Sequence, residues 1–214
     1  MNILIAVPTF ETIYPDTFKS IYDLDTGAHE THFEFVRGYD CATARNRIAQ
    51  KAQNMGVDYV LMIDNDVTVP RDGLLNLLDG EMDVVLGYYP HRNADNEYNG
   101  NTCVCRLESA SGERYFNYPL ESEYTASEMR SFRDAGKFKI QIHGGGMGCA
   151  LIRTDVFRRI RYPWYDWVNY KGETRAMLSE DLYFCEQLKH KQIPIYTDSR
   201  VGCGHMFRRI QNPD

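Results

Sequence analysis

Apolar positions fall into short unbroken runs, and between the runs lie stretches patterned at three- and four-residue steps. The run Tyr59–Ile63 leads straight into Asp64-Asn65-Asp66 and reads as a strand buried on both faces, as in a parallel sheet. Ile3 to Val7 is a second such strand, with Pro8 placed just past its end, and 83–87 is a third. His32–Val36 alternates and reads as a short strand, and 193–196 reads as the final one. Pro15 to Tyr22 fits a helix with proline in its first turn. Cys41, Ala44, Ile48, Ala52 and Met55 form one stripe stopped by Gly56, which predicts an amphipathic helix with Thr43 as candidate N-cap. A further helix starts at Pro70-Arg71-Asp72, with Leu74, Leu75, Leu77 and Leu78 on its apolar side. Thr154 is expected to cap a short helix through Ile160, and Ser179 to cap the last one. Strands alternating with helices predict an α/β fold around a mostly parallel sheet with flanking helices.

The stretch 93–137 breaks this rhythm. Residues 93–101 are polar and read as a mobile loop. Thr102–Leu107 and Arg114–Tyr118 flank Ser111-Gly112 as a hairpin, and 121–137 reads as a surface helix or lid. The chain of 214 residues is thus expected to be one domain, with a nucleotide-binding half (1–92), a small β-hairpin and lid insertion (93–137), and an acceptor and catalytic half (138–214) whose C-terminus closes as a lid.

Bulk properties narrow the function. A formal net charge of -6 argues against non-specific nucleic-acid binding, while leaving a modified-base acceptor open. The six cysteines are irregularly spaced and read as reduced thiols of a cytoplasmic protein. The apolar N-terminal run is too short for a signal or a membrane span, and no other window approaches a span.

The candidate chemistry sits where runs end. Asp64 and Asp66 are like charges one residue apart, which repel unless something positive joins them, and a hard divalent cation does that. Ligands of open α/β sheets lie beyond such strand ends. An Asx-rich turn is the plainer account of the same three residues. Arg45 and Asn46 fall in the first turn of the helix capped by Thr43, at this edge, where a guanidinium can grip phosphate. The glycines of 144–148 would let a ligand approach backbone, or simply make a tight bend. No Gly-Lys-Ser/Thr follows them, and no Gly-x-Ser-x-Gly exists to make the His143-Gly-Gly-Gly string a lipase oxyanion loop. Asp181 lies three, four and seven residues before Phe184, Cys185 and Leu188, so it leans toward the interior, where desolvation would suit a general base. Glu180 is placed on a more polar side. His205, bracketed by glycines, is a plausible nitrogen ligand beside Asp66, and such a mixed shell favours Mn2+. Arg208 and Arg209 could close over a diphosphate.

In order, these features resemble the GT-A glycosyltransferases, particularly the family 2-like group with small bacterial and phage members, over residues 1 to 207. The resemblance implies a Rossmann-like GT-A sheet and a metal-dependent transfer of one sugar from a nucleotide-sugar donor, expected to be a UDP-sugar, to an unidentified acceptor hydroxyl with inversion. It implies Asp181 as base with Glu180 beside it. Asp66 and His205 become ligands of Mn2+ or Mg2+, and Asp64 contacts the ribose or the metal. Pro8, Thr9, Glu11, Arg45 and Asn65 hold the nucleoside and diphosphate, and Gly145 and Gly146 line the sugar pocket. The Gln-x-x-Arg-Trp motif of processive synthases is absent, which implies a single transfer. Two rivals remain: a sugar-phosphate nucleotidyltransferase, which would carry a Gly-rich, Arg-containing loop after the first strand, and a non-catalytic carbohydrate-binding module.

Overall fold

Strands whose side chains are apolar on both sides must be covered on both faces. The computed structural model, which describes residues 1–92, 98–106, 123–169 and 177–206, shows how this is done. In chain order the elements are β1 (Asn2–Thr9), α1 (Pro15–Tyr22), β2 (Glu30–Arg37), α2 (Cys41–Met55), β3 (Tyr59–Ile63), β4 (Val67–Thr68), α3 (Gly73–Leu78), β5 (Val84–Tyr88), β6 (Pro90–Arg92), β7 (Tyr98–Cys105), β8 (Glu123–Thr125), α4 (Ala126–Asp134), β9 (Lys139–Ile142), β10 (Gly144–Gly145), β11 (Cys149–Arg153), α5 (Val156–Arg159), β12 (Val168–Asn169), β13 (Met177–Leu178), α6 (Glu180–His190), β14 (Ile195–Gly202) and β15 (Gly204–His205). The main sheet has seven strands in the order β2-β1-β3-β11-β5-β14-β9. β2, β1, β3, β5 and β14 point one way, while β11 and β9 run antiparallel to their neighbours. The mixed α/β architecture with a large, mostly parallel central sheet is therefore the one expected.

Alternate residues of one strand enter opposite apolar layers. Leu4, Ala6, Val60 and Met62 join the layer that holds Ile48 of α2, Phe157 of α5 and Phe184 of α6. Ile3, Ile5, Tyr59, Leu61 and Ile63 join the layer of Ile21 of α1 and Leu74 and Leu77 of α3. The parallel strands β1, β3, β5 and β14 all finish at one edge, and β11 begins there, with Cys149 opposite Ile63. That edge is where the candidate residues gather.

Several expectations need correction. Pro8 lies inside β1, opposite Val36. The ladder to β3 ends at Ala6, so β1 has one neighbour at Pro8 and tolerates its missing N–H. Asp40 caps α2, accepting from Thr43 N at 3.1 Å, so Thr43 is the donor and Arg45 falls in the second turn. Tyr98–Asn101, expected to be loop, is strand, because β7 pairs with β6, β8 and β10. The proposed return strand Arg114–Tyr118 lies outside the described residues, as do Arg208 and Arg209. Within 121–137, Thr125 and Glu128 form a capping box for α4, whose Met129 is fully buried. α3 begins at Gly73, one turn after Pro70. The α5 helix starts at Val156, and Thr154 gives it no side-chain cap. β14 runs past Tyr196 through three buried polar residues, Thr197, Asp198 and Ser199, with Asp198 held by Lys139 and Arg200. None of the six cysteines is in a disulfide. Among the described residues, no helix is long and apolar enough to cross a membrane.

Candidate active site

Arg45 is the centre of the site. It projects from α2 and is 1% exposed. A guanidinium that deep in a protein needs compensation. Asp64, the first residue after β3, accepts from its Nη2 at 2.8 and 3.0 Å. Glu180 Oε1 lies 2.5 Å from Nη1, and Asp181 Oδ1 lies 2.8 Å from the same nitrogen. The two acids reach it because Ser179 caps α6, accepting from Leu182 N and Tyr183 N, which fixes the first turn against α2. Glu180 is the more buried of the pair, its side chain 7% exposed against 21% for Asp181, which reverses the sidedness expected from helical spacing. Asn46 steadies the opposite wall: its Oδ1 accepts from Trp164 N and Tyr165 N, and its Nδ2 donates to Tyr165 O. The Tyr165 ring stacks on Phe184 at 4.6 Å.

One cation among three carboxylates leaves negative charge in surplus. Burial pushes the Asp181 carboxyl up to about 7; Glu180 and Asp64 push the same way, and Arg45 and the Met147 N–H oppose them. Asp181 therefore exchanges a proton near neutrality.

The second cluster is built by strand pairing. β15 pairs antiparallel with β4, setting His205 opposite Val67 and beside the turn that carries Asp66. Met206 N donates to Asp66 O at 2.8 Å and closes that turn. The strands approach so closely that a Cβ on Gly204 would stand 2.4 Å from Thr68 Oγ1. His205 Nδ1 lies 2.9 Å from the Pro90 carbonyl, which only accepts, so the ring proton sits on Nδ1. Nε2 then turns its lone pair toward Asp66 Oδ2, 3.5 Å away. Histidine ligands of metals commonly give their other N–H to a carbonyl, and imidazole with carboxylate is a familiar ligand pair. The pair fits a divalent ion on that ground. No group of three or more His, Cys, Asp or Glu that could hold a metal forms among the described residues, so Asp64 does not complete a shell with them.

The nucleotide candidates divide. Asn65 Nδ2 donates to Thr12 O at 2.7 Å and lies 3.4 Å from Thr9 Oγ1, so its amide ties the loop after β1 to the end of β3. Thr9 Oγ1 in turn donates to Thr12 O. Glu11 is exposed on this loop. Gly145 and Gly146 owe their lack of side chains to packing: a Cβ would meet Cys103 O at 2.9 Å on Gly145, and Tyr89 Oη at 2.2 Å on Gly146. The Tyr89 hydroxyl also accepts from Gly148 N at 3.1 Å. Space that the glycine density reserves for a ligand is thus partly filled by Tyr89, although Gly146 still borders a cavity.

That cavity, about 450 Å³, is lined by Ser179, Asp181 and Leu182 from the start of α6 and by Tyr89, His91, Cys103, Glu123 and His205. It joins the general-base candidate to the Asp66–His205 pair. Glu123 is the residue that spacing did not reveal. The only local signal was the capping box two residues past Glu123, which fixes where β8 ends.

No protein-family model matches the chain, and no curated protein matches it by sequence. Solved structures do match. Against A197 from STIV the identity is 16%, over 97% of this chain and 87% of that one, with a TM-score of 0.61. Against GalNAc-T7, solved with UDP, GalNAc and Mn2+, the identity is 12% over 99% of this chain, with a TM-score of 0.59. This chain spans 45% of the GalNAc-T7 chain. At such identities the likeness speaks for architecture, and the chain has the mixed α/β fold of the GT-A glycosyltransferases.

Proposed function

We propose that the protein is a glycosyltransferase that moves one sugar from a nucleotide-sugar donor, a UDP-sugar, to an acceptor hydroxyl with inversion. The observation that carries this reading is a single cavity bordered both by Asp181, an acid poised near neutral pH, and by His205 paired with Asp66. GalNAc-T7, whose structure holds UDP, GalNAc and Mn2+, shares the architecture and supports the choice of donor. Asp66 and His205 would hold Mn2+ or Mg2+. Such an ion, when bound, supplies positive charge against which a diphosphate can leave. Asp64, gripped by Arg45, accepts from ribose hydroxyls. Pro8, Thr9, Glu11 and the strapped Asn65 shape the nucleoside edge. Arg45 acts through the acids it holds in place. Asp181 removes the acceptor hydroxyl proton as that oxygen bonds to the anomeric carbon, and the bond from that carbon to the phosphate oxygen breaks.

Thermal unfolding with a nucleotide panel, with and without Mn2+, tests this. UDP and UDP-sugars should raise the melting temperature only with Mn2+, and Asp66→Ala should abolish the effect. Stabilisation by nucleoside triphosphates but not by sugar nucleotides, or by free glycans alone, would overturn the reading.

A further inference from the structure

The cavity that Asp181 lines is also lined by an acid that the mechanism does not use. Glu123 sits on β8 and is 8% exposed. β8 pairs with β7, setting Glu123 opposite Cys105, and β7 pairs with β10, setting Cys105 opposite Gly144. The flap strands therefore carry Glu123 to the glycine stretch at the sheet edge. Its Oε1 lies 2.6 Å from His91 Nδ1 on β6. Its Oε2 is buried with no hydrogen-bond partner among the described residues. An unsatisfied buried carboxylate oxygen is expensive, and a half-satisfied pair makes poor structural glue. That oxygen is open to a donor that enters the cavity.

The surroundings say what kind. Asp181 and Glu123 both line the cavity, and beside Glu123 a neutral donor of O–H groups suits better than a phosphate. Tyr89, Leu182 and Cys103 supply apolar surface for C–H faces. A volume of about 450 Å³ falls in the ordinary range for small-ligand sites. We propose that Glu123, positioned by His91, accepts a hydrogen bond from a hydroxyl of a neutral pyranose seated between Tyr89, Leu182 and Asp181. The pair is thus a sugar-hydroxyl subsite. It deepens the glycosyltransferase reading and rests on it for where the sugar comes from, the donor or the acceptor.

The test uses the full chain with Mn2+ and two variants that leave no void, Glu123→Gln and His91→Asn. Calorimetry measures UDP and the UDP derivatives of glucose, galactose, N-acetylglucosamine and N-acetylgalactosamine. Ligand-observed NMR measures the methyl glycosides of the same sugars, and circular dichroism confirms that each variant is folded. Glu123→Gln should weaken the best sugar ligand at least ~10-fold, the scale of one charge-assisted hydrogen bond, with UDP unchanged. His91→Asn should act in the same direction and less strongly. A loss confined to UDP-sugars assigns the subsite to the donor; one confined to methyl glycosides assigns it to the acceptor. Parallel losses for UDP and sugars, or unchanged sugar affinity in both variants, would overturn the proposal and leave the pair as a strap between β6 and β8. If the wild type binds glycosides but no nucleotide, the glycosyltransferase reading fails while the subsite stands or falls on the glycosides.

Discussion

Asp181 owes its proton affinity to its neighbours. It lies in a buried cluster where Arg45 answers three carboxylates, and burial together with Glu180 and Asp64 raises its carboxyl to about 7. A base works when ionised, so kcat/KM should rise with pH and level off above about 7, the free enzyme's value. Asp181→Asn should lower turnover at least ~100-fold and erase that limb in a pH-rate series. A near-wild-type rate in this variant would point instead to a retaining mechanism. Glu180, more deeply buried on the same nitrogen of Arg45, has little room to reach a substrate and serves better as an anchor.

Short elements decide where the second cluster forms. β15 is two residues long, yet its pairing with β4 is what sets His205 against Asp66. Gly204 makes that approach possible, because Thr68 Oγ1 occupies the space of a Cβ. Gly204→Ala should therefore push β15 away and remove the Mn2+-dependent part of the UDP thermal shift, while the fold persists by circular dichroism. Thr68→Ala in the same chain should restore it, since the next atom, Thr68 Cβ, would stand at 3.8 Å. A double variant no better than Gly204→Ala would show that β15 is not held in place by this contact. The capping box Thr125–Glu128 similarly ends β8 and begins α4, and so fixes the level at which Glu123 meets the cavity.

For the molecule as a whole, the charge cluster links stability to pH. Between about pH 4 and 7 the folded chain keeps a proton on Asp181 that the unfolded chain has released. Stability from this group is present at low pH and is lost as pH rises through the folded value. His91, raised by Glu123, and Glu186, raised by burial, act in the same sense, and His143, lowered by burial, opposes them. Urea midpoints of the metal-free, nucleotide-free protein should fall from pH 5 to pH 7.5. The fall should be shallower in Asp181→Asn, and an identical slope in both proteins would refute the assignment. Asp198, held low by Arg200 and Lys139 against its burial, contributes in the opposite sense and only under strongly acid conditions.

What the sequence determined by itself is whatever depends on local pattern. The apolar runs of β1, β3 and β5 could be read because strands covered on both faces need no polar residue, and the α2 stripe and its Gly56 stop because helix periodicity is a short-range property. Asp64, Asp66, Asp181 and His205 could be singled out because charges and glycine-flanked histidines at the ends of such runs have few local reasons to be there. Tertiary structure alone decided that Arg45 is spent on carboxylates from two other elements, that Tyr89 fills the space opened by Gly146 and Gly148, and that Thr197–Ser199 continue a buried strand. Each of these rests on a partner far along the chain, and polar groups can be buried only when such a partner arrives. The pairing of Glu123 with His91 stayed hidden for the same reason: 32 positions apart and in different strands, they meet only when β6 and β8 pair on either side of β7.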